Sequence, residues 1–163
     1  MENYANNVVV VFCYLVRDGK VLLIRRNFPP IKNQFTIVGG KKEKGENLLT
    51  ACKREVFEET NLILEHAELK GIINNSTQGR DYDVLTCYFL SESFSGNIKS
   101  SHEGNVEWCD IEESYEKEGI SEFYQKISPH VLGSAFFHGT VHIDEDGRIE
   151  DFEIVEQVVN IKN

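Results

Sequence analysis

The sequence predicts an α+β domain, a mixed β-sheet with helices packed against it, occupying residues 1–163 as one unit. Three observations carry this. Apolar, β-branched and aromatic runs separated by Gly, Asn, Asp or Pro recur along the chain, as short strands do. One stretch free of Gly and Pro, residues 48–60, repeats its apolar residues at a helical interval. The chain has 163 residues, 40% hydrophobic and 27% charged, enough for one hydrophobic core.

The elements follow in order. "VVVVFCYLV" (8–16) reads as a buried strand, "RDGK" (17–20) as an Asp-Gly turn, and "VLLIRR" (21–26) as the strand returning from it. "NFPPIKN" (27–33) is a loop, because two successive prolines cannot join a ladder. "QFTIV" (34–38) is a short strand leading to a Gly39-Gly40 turn. A helix follows from Leu48 to Thr60, with Asn47 as N-cap, Leu48, Cys52 and Val56 on its apolar side, and Asn61 closing it in a left-handed conformation. Strands resume at 69–74, 84–90 and 106–108, and a second helical run is expected over 111–127. Residues 140–155 close the chain as a hairpin on "DEDG" (144–147), a solvated turn without the downstream spacing of a calcium loop.

Lys plus Arg total 17 against 27 Asp plus Glu, a formal charge of −10. That disfavours long nucleic acid as a partner but leaves room for a small phosphorylated substrate met by a few local cations. Cys13, Cys52, Cys87 and Cys109 form no CxxC pair, so buried free thiols are expected rather than a zinc or redox centre. No basic leader precedes the first strand within Met1–Asn7, and the longest apolar run, 8–16, is too short for a bilayer. A cytoplasmic location without membrane contact is the expectation, as monomer or homodimer.

The helix over 48–60 carries an unusual load. Glu55, Glu58 and Glu59 share one face at 3.6 residues per turn, and Glu55 with Glu59 is a like-charge i,i+4 pair that costs a few tenths of a kcal/mol. A solvated acidic face is the plain explanation. Against it stand the glycines just upstream, Gly39, Gly40 and Gly45, where backbone must adopt unusual dihedrals or come close to something. Carboxylates crowded in this way become favourable around a hard divalent cation, which takes oxygen ligands and bridges them to phosphates.

The spacing extends this reading. Gly40, five residues, Glu46, seven residues, Arg54-Glu55-Val56, one residue, Glu58-Glu59, one residue, Asn61-Leu62 resembles the Nudix box of the Nudix hydrolases. The family has Gly where this chain has Asn61, the residue type that most readily replaces Gly in the left-handed region. "FFHGTVHIDEDGRIEDFEI" (136–154) is similar to the C-terminal strands of the MutT-type branch. The resemblance implies an α/β/α sandwich with a mixed sheet between helices. It also implies hydrolysis of a nucleoside polyphosphate, with Mg2+ or Mn2+ as cofactor and a small nucleotide as substrate.

Carried over residue by residue, the resemblance makes Glu55, Glu58 and Glu59 metal ligands, joined by the Gly40 carbonyl and Glu103. Glu55 or Glu103 takes the proton of the attacking water. Arg54, in the catalytic motif, is expected to brace Glu46. Arg26 and Lys41 are expected to hold phosphates, while Arg25 faces elsewhere. His102 is an exposed loop residue; His130, His138 and His142 carry no chemistry; Trp108 and Phe35 are core or pocket wall. Where MutT-type enzymes read an oxidised purine through an Asn and acidic residues, this chain offers Thr36 and, as the nearest acids, Glu118 and Glu122, of which Glu122 is taken as the candidate. The leading substrate is an oxidised purine nucleotide such as 8-oxo-dGTP. The alternatives are another nucleoside diphosphate linked to a group X, of ADP-ribose or nucleotide-sugar type, or a non-catalytic nucleotide-sensing module.

Overall fold

The computed structural model describes residue 4 and residues 6–158, so most of the leader expectation over 1–7 lies outside it. Nine strands and three helices follow one another among the described residues: β1 (Asn6–Arg17), β2 (Lys20–Arg26), β3 (Phe35–Thr36), β4 (Val38–Lys41), α1 (Leu48–Thr60), β5 (Ile63–Thr77), β6 (Tyr82–Ser95), β7 (Gly104–Asp110), α2 (Ile111–Ser114), α3 (Glu122–Val131), β8 (Phe136–Ile143) and β9 (Ile149–Gln157). The sheet is mixed. β1 runs parallel to β6 and β5 parallel to β8, while β5 with β6 and β8 with β9 are antiparallel. The α+β sandwich expected from the sequence is the one observed.

The first hairpin forms at Asp18 and Gly19, both at positive φ as an Asp-Gly turn requires. Beyond Val16 and Val21 its strands part: β2 ladders with β7 from Lys20–Asp110 to Arg26–Gly104, and β1 pairs with β4 from Val10–Lys41 to Cys13–Val38. This divergence leaves β4 and β7 against α1. Alternation along the strands divides the interior in two. Val11, Cys13, Leu15, Leu22 and Ile24 pack with Ala51, Cys52 and Val56 of α1. Tyr14, Val21, Leu23, Tyr88 and Phe137 pack with Tyr124, Ile127 and Val131 of α3. Among the described residues no helix is long and apolar enough to cross a membrane.

Four expectations change. Gly39-Gly40 is not a turn: both lie within β4, and only Gly45 of that trio has positive φ, at 85°. The strand expected over 34–38 is two short strands, β3 on β2 and β4 on β1. The helical run expected over 111–127 breaks into α2 and α3, because Gly119 takes φ 80° and Ser121 begins a new helix by accepting a hydrogen bond from the Tyr124 N–H. Cys109 is half-buried rather than buried, while the other three thiols are buried and free.

Candidate active site

Gly40 and α1 meet closely. A Cβ on Gly40 would stand 2.5 Å from the Glu55 carboxyl carbon, so the missing side chain leaves the space the carboxylate fills. The preceding residue anchors the second carboxylate: the Gly39 N–H donates to Glu59 Oε2 at 2.9 Å. Glu59 is only 2% exposed, and burial pushes its pKa up to about 8 against the pull of that hydrogen bond. Burial likewise raises Glu55, with Glu58 and Glu103 adding like-charge repulsion.

Arg54 ties the helix to the loop before it. Its Nε and Nη2 donate to Glu46 at 2.7 and 3.1 Å, and Nη2 also donates to the Lys41 carbonyl at 3.0 Å. Nη1 reaches Glu55 at 2.8 Å and Glu58 at 3.3 Å. The Arg54 hydrogen bonds draw the Glu46 pKa down to about 2, and Glu46 also accepts from the Glu43 N–H at 2.8 Å. This fork-shaped contact is the geometry a guanidinium suits and an ammonium does not. Arg54 and Glu46 are thus joined as a brace.

Glu103 arrives from the other side, immediately before β7. The Asn27 N–H donates to the Glu103 carbonyl at 2.9 Å, and Asn27 Nδ2 donates to the His102 carbonyl at 2.8 Å. Arg26 lies 4.0 Å from the Glu103 carboxylate, and exposed His102 lies 3.2 Å from its other oxygen. The Arg26 Nε is buried and has no hydrogen-bond partner, an arrangement that costs free energy unless an acceptor arrives. Arg25 turns away, donating to the Asn33 carbonyl and lying over Phe35.

The fold therefore gathers Gly40, Arg54, Glu55, Glu58, Glu59, Arg26 and Glu103 at one corner. It does not gather the rest. Lys41 follows Gly40 in β4, so strand alternation turns its side chain to the opposite face. Thr36 is buried opposite Ile24, with no side-chain hydrogen bond among the described residues, and Glu122 opens α3 without contact to the carboxylates. The sequence reading missed Asn27 and the Gly39 N–H, because each acts only through contacts with residues distant in sequence.

Among the described residues no three His, Cys, Asp or Glu groups stand close enough together to enclose a cation. Arg54 engages Glu55 and Glu58, and the Gly39 N–H engages Glu59. The donor set nevertheless fits a hard divalent ion: carboxylate oxygens on two sides, the glycine gap at Gly40, and Glu58, 57% exposed, able to turn toward the others. Arg26, with its unsatisfied Nε, fits an anionic ligand beside such an ion.

Comparison with known proteins matches residues 6–131 to the NUDIX domain. An uncharacterized Nudix hydrolase from Bacillus subtilis is 32% identical over 106 residues, covering 63% of this chain and 65% of that protein. An ADP-ribose pyrophosphatase from Methanocaldococcus jannaschii is 30% identical over 109 residues, covering 66% of this chain and 64% of that protein. This chain thus spans just under two thirds of the length of both. The crystal structure of a MutT protein from Bacillus halodurans superposes with a TM-score of 0.81 at 30% identity, covering 90% of this chain and 97% of that one.

Proposed function

Because this chain belongs to the Nudix family, we propose that it is a pyrophosphohydrolase that cleaves a nucleoside polyphosphate to the monophosphate and pyrophosphate. The single observation that carries this is the corner where Glu55 feels the charges of Glu58 and Glu103, and Glu59 those of Glu55 and Glu103, beside a Gly40 whose missing side chain leaves the space the Glu55 carboxylate fills. Like charges concentrated in this way are costly alone and favourable around a cation. Glu55, Glu58, Glu59 and Glu103, with the Gly40 carbonyl, are the residues that would hold Mg2+ or Mn2+. When bound, such an ion neutralises polyphosphate charge and makes phosphorus more electrophilic.

The chain's own residues supply the remainder. Arg26, whose guanidinium lies 4.0 Å from the Glu103 carboxylate, offers its partly exposed end to a phosphate oxygen. Glu55 or Glu103 accepts the proton of the attacking water; Glu55 is held at its helix position by Arg54, and Glu103 by the Asn27 clamp on its backbone. Arg54 itself keeps loop and helix at fixed separation, so its role is positioning.

An oxidised purine nucleotide such as 8-oxo-dGTP remains the leading substrate, with Thr36 and Glu122 as base-reading candidates. A second reading, a nucleoside diphosphate linked to a sugar, has two supports. Thr36 and Glu122 make no contact with the carboxylate corner, and one relative is named an ADP-ribose pyrophosphatase. The reaction, in either case, is that of a small-molecule enzyme, which we place in the cytoplasm as a monomer or homodimer. The test is turnover of a panel of nucleoside tri- and diphosphates in Mg2+ and Mn2+. Glu55→Gln and Glu58→Gln are each expected to lose about 10²-fold or more in rate while their circular dichroism matches the parent. Near-parental rates in both variants would reject these assignments.

A further inference from the structure

A groove of about 310 Å3 opens beside the carboxylate corner, lined by Phe57, Glu58, Asn61, Lys99, Ser100 and Ser101. Phe57, 53% exposed, forms one wall, an apolar ring on a helix face otherwise turned to water. The opposite wall is the segment between β6 and β7, and its polar groups are set mainly to donate. The Lys99 N–H donates to the Thr60 carbonyl at 2.8 Å, which fastens the residue to the end of α1. The Lys99 ammonium enters no ion pair among the described residues, in a chain of formal charge −10. Ser100 Oγ accepts from the Val106 N–H at 3.1 Å and Ser101 Oγ from the Glu103 N–H at 3.3 Å. Each hydroxyl oxygen is thereby placed, and each keeps its own hydrogen to give. Asn61 spends its amide N–H on the Asn97 carbonyl at 3.3 Å.

We propose that this groove receives the terminal phosphate of a nucleoside triphosphate, held by the Lys99 ammonium and the Ser100 and Ser101 hydroxyls. The inference rests on the Nudix reading of Glu58, whose carboxylate forms the wall shared by groove and catalytic corner. Three donors on one wall suit a dianionic phosphate, which only accepts; Glu58, which also lines the groove, is left to the cation, so a sugar hydroxyl would find donors there and little to donate to. The groove thus favours triphosphates over sugar-linked diphosphates, the choice that Thr36 and Glu122 leave open.

The test pairs binding with kinetics. Pyrophosphate is titrated calorimetrically, in Mg2+, into the parent chain, Lys99→Ala and Lys99→Arg. Lys99 is exposed, so neither variant disturbs the core. Loss of one charge-assisted contact is expected to weaken binding about tenfold in Lys99→Ala, with most of the affinity kept in Lys99→Arg. In turnover, Lys99→Ala is expected to raise KM for a nucleoside triphosphate about tenfold more than KM for ADP-ribose, with little change in kcat. Parental pyrophosphate affinity in Lys99→Ala, no pyrophosphate binding by the parent chain, or an equal KM rise on both substrates overturns the groove. A chain that cleaves no nucleotide, yet loses pyrophosphate affinity with Lys99, instead sinks the catalytic reading and leaves the groove standing.

Discussion

Gly40 and Glu59 show how much of this site depends on single atoms. Adding one methyl at Gly40 places a carbon 2.5 Å from the Glu55 carboxylate, at the flexible end of a side chain rather than against backbone. Gly40→Ala is therefore expected to keep its melting temperature within a few degrees while weakening Mg2+ affinity about tenfold or more, as displaced ligands do. A metal titration followed by scanning calorimetry checks both halves; retained Mg2+ affinity would show that the gap serves packing alone. Glu59 makes a pH prediction. Burial raises its folded pKa from the ordinary 4.5 to about 8, so between those values the folded chain binds a proton that the unfolded chain has released. Stability of the metal-free protein should then fall as pH rises from 4.5 to 8. Glu59→Gln should flatten that slope. Added Mg2+, which needs the ionised carboxylate, should stabilise the parent more at pH 8 than at pH 6. Melting curves with EDTA and with Mg2+ across the range decide it.

At the scale of elements, α1 is the one whose limits were legible in the sequence, Leu48 to Thr60 in both readings. Its boundaries are set by local chemistry: Asn47 Oδ1 accepts from the Thr50 N–H at 2.8 Å, and Asn61 ends the helix at φ 65°. Asn47→Ala should cost about 1 kcal/mol, the usual loss of an N-cap. Asn61→Ala should cost about 1 kcal/mol because a Cβ without a polar partner is strained in the left-handed region, whereas Asn61→Gly should be close to neutral. Equilibrium urea unfolding measures all three. Elsewhere long-range pairing set the limits, and local pattern gave only the centre. β5 runs from Ile63, well before the apolar stretch 69–74, and register shifts at Leu64/His66, His66/Glu68 and Leu69/Gly71 scramble the period-two signal of its first half. β4 continues through Gly39 and Gly40 because β1 pairs with them, although glycine alone argues for a turn. The α2–α3 break was readable in "GIS" (119–121), a stop followed by an N-cap, but the polar stretch before it carried no period to contradict a continuous helix. The carboxylates of α1 were readable because they sit on one element. The Asn27–Glu103 clamp joins two loops, and only the ladder between β2 and β7 brings them together.

For the molecule as a whole, the sheet separates chemistry from stability. The carboxylates, Arg54 and Arg26 lie with α1 and the strand ends around it. On the far face α3 closes a second core in which Tyr14 stacks on Tyr124 and bonds Ser128 Oγ at 2.8 Å. Ile127, 1% exposed, is a test of that division. Truncating a buried Ile to Ala costs about 2–5 kcal/mol, of which the cavity left behind is a part. Ile127→Ala should therefore lower the unfolding free energy by that amount, yet at a temperature where it is still folded its kcat should stay within about threefold of the parent. Glu58→Gln should do the reverse, losing turnover while its unfolding midpoint moves little, since Glu58 is exposed and its contact with Arg54 is an i,i+4 surface pair worth a few tenths of a kcal/mol. Denaturant titrations and turnover measured on the same preparations compare the two. If Ile127→Ala lost kcat in proportion to stability, α3 would be coupled to the catalytic corner through the sheet; independence would mean that the strands transmit position and nothing more.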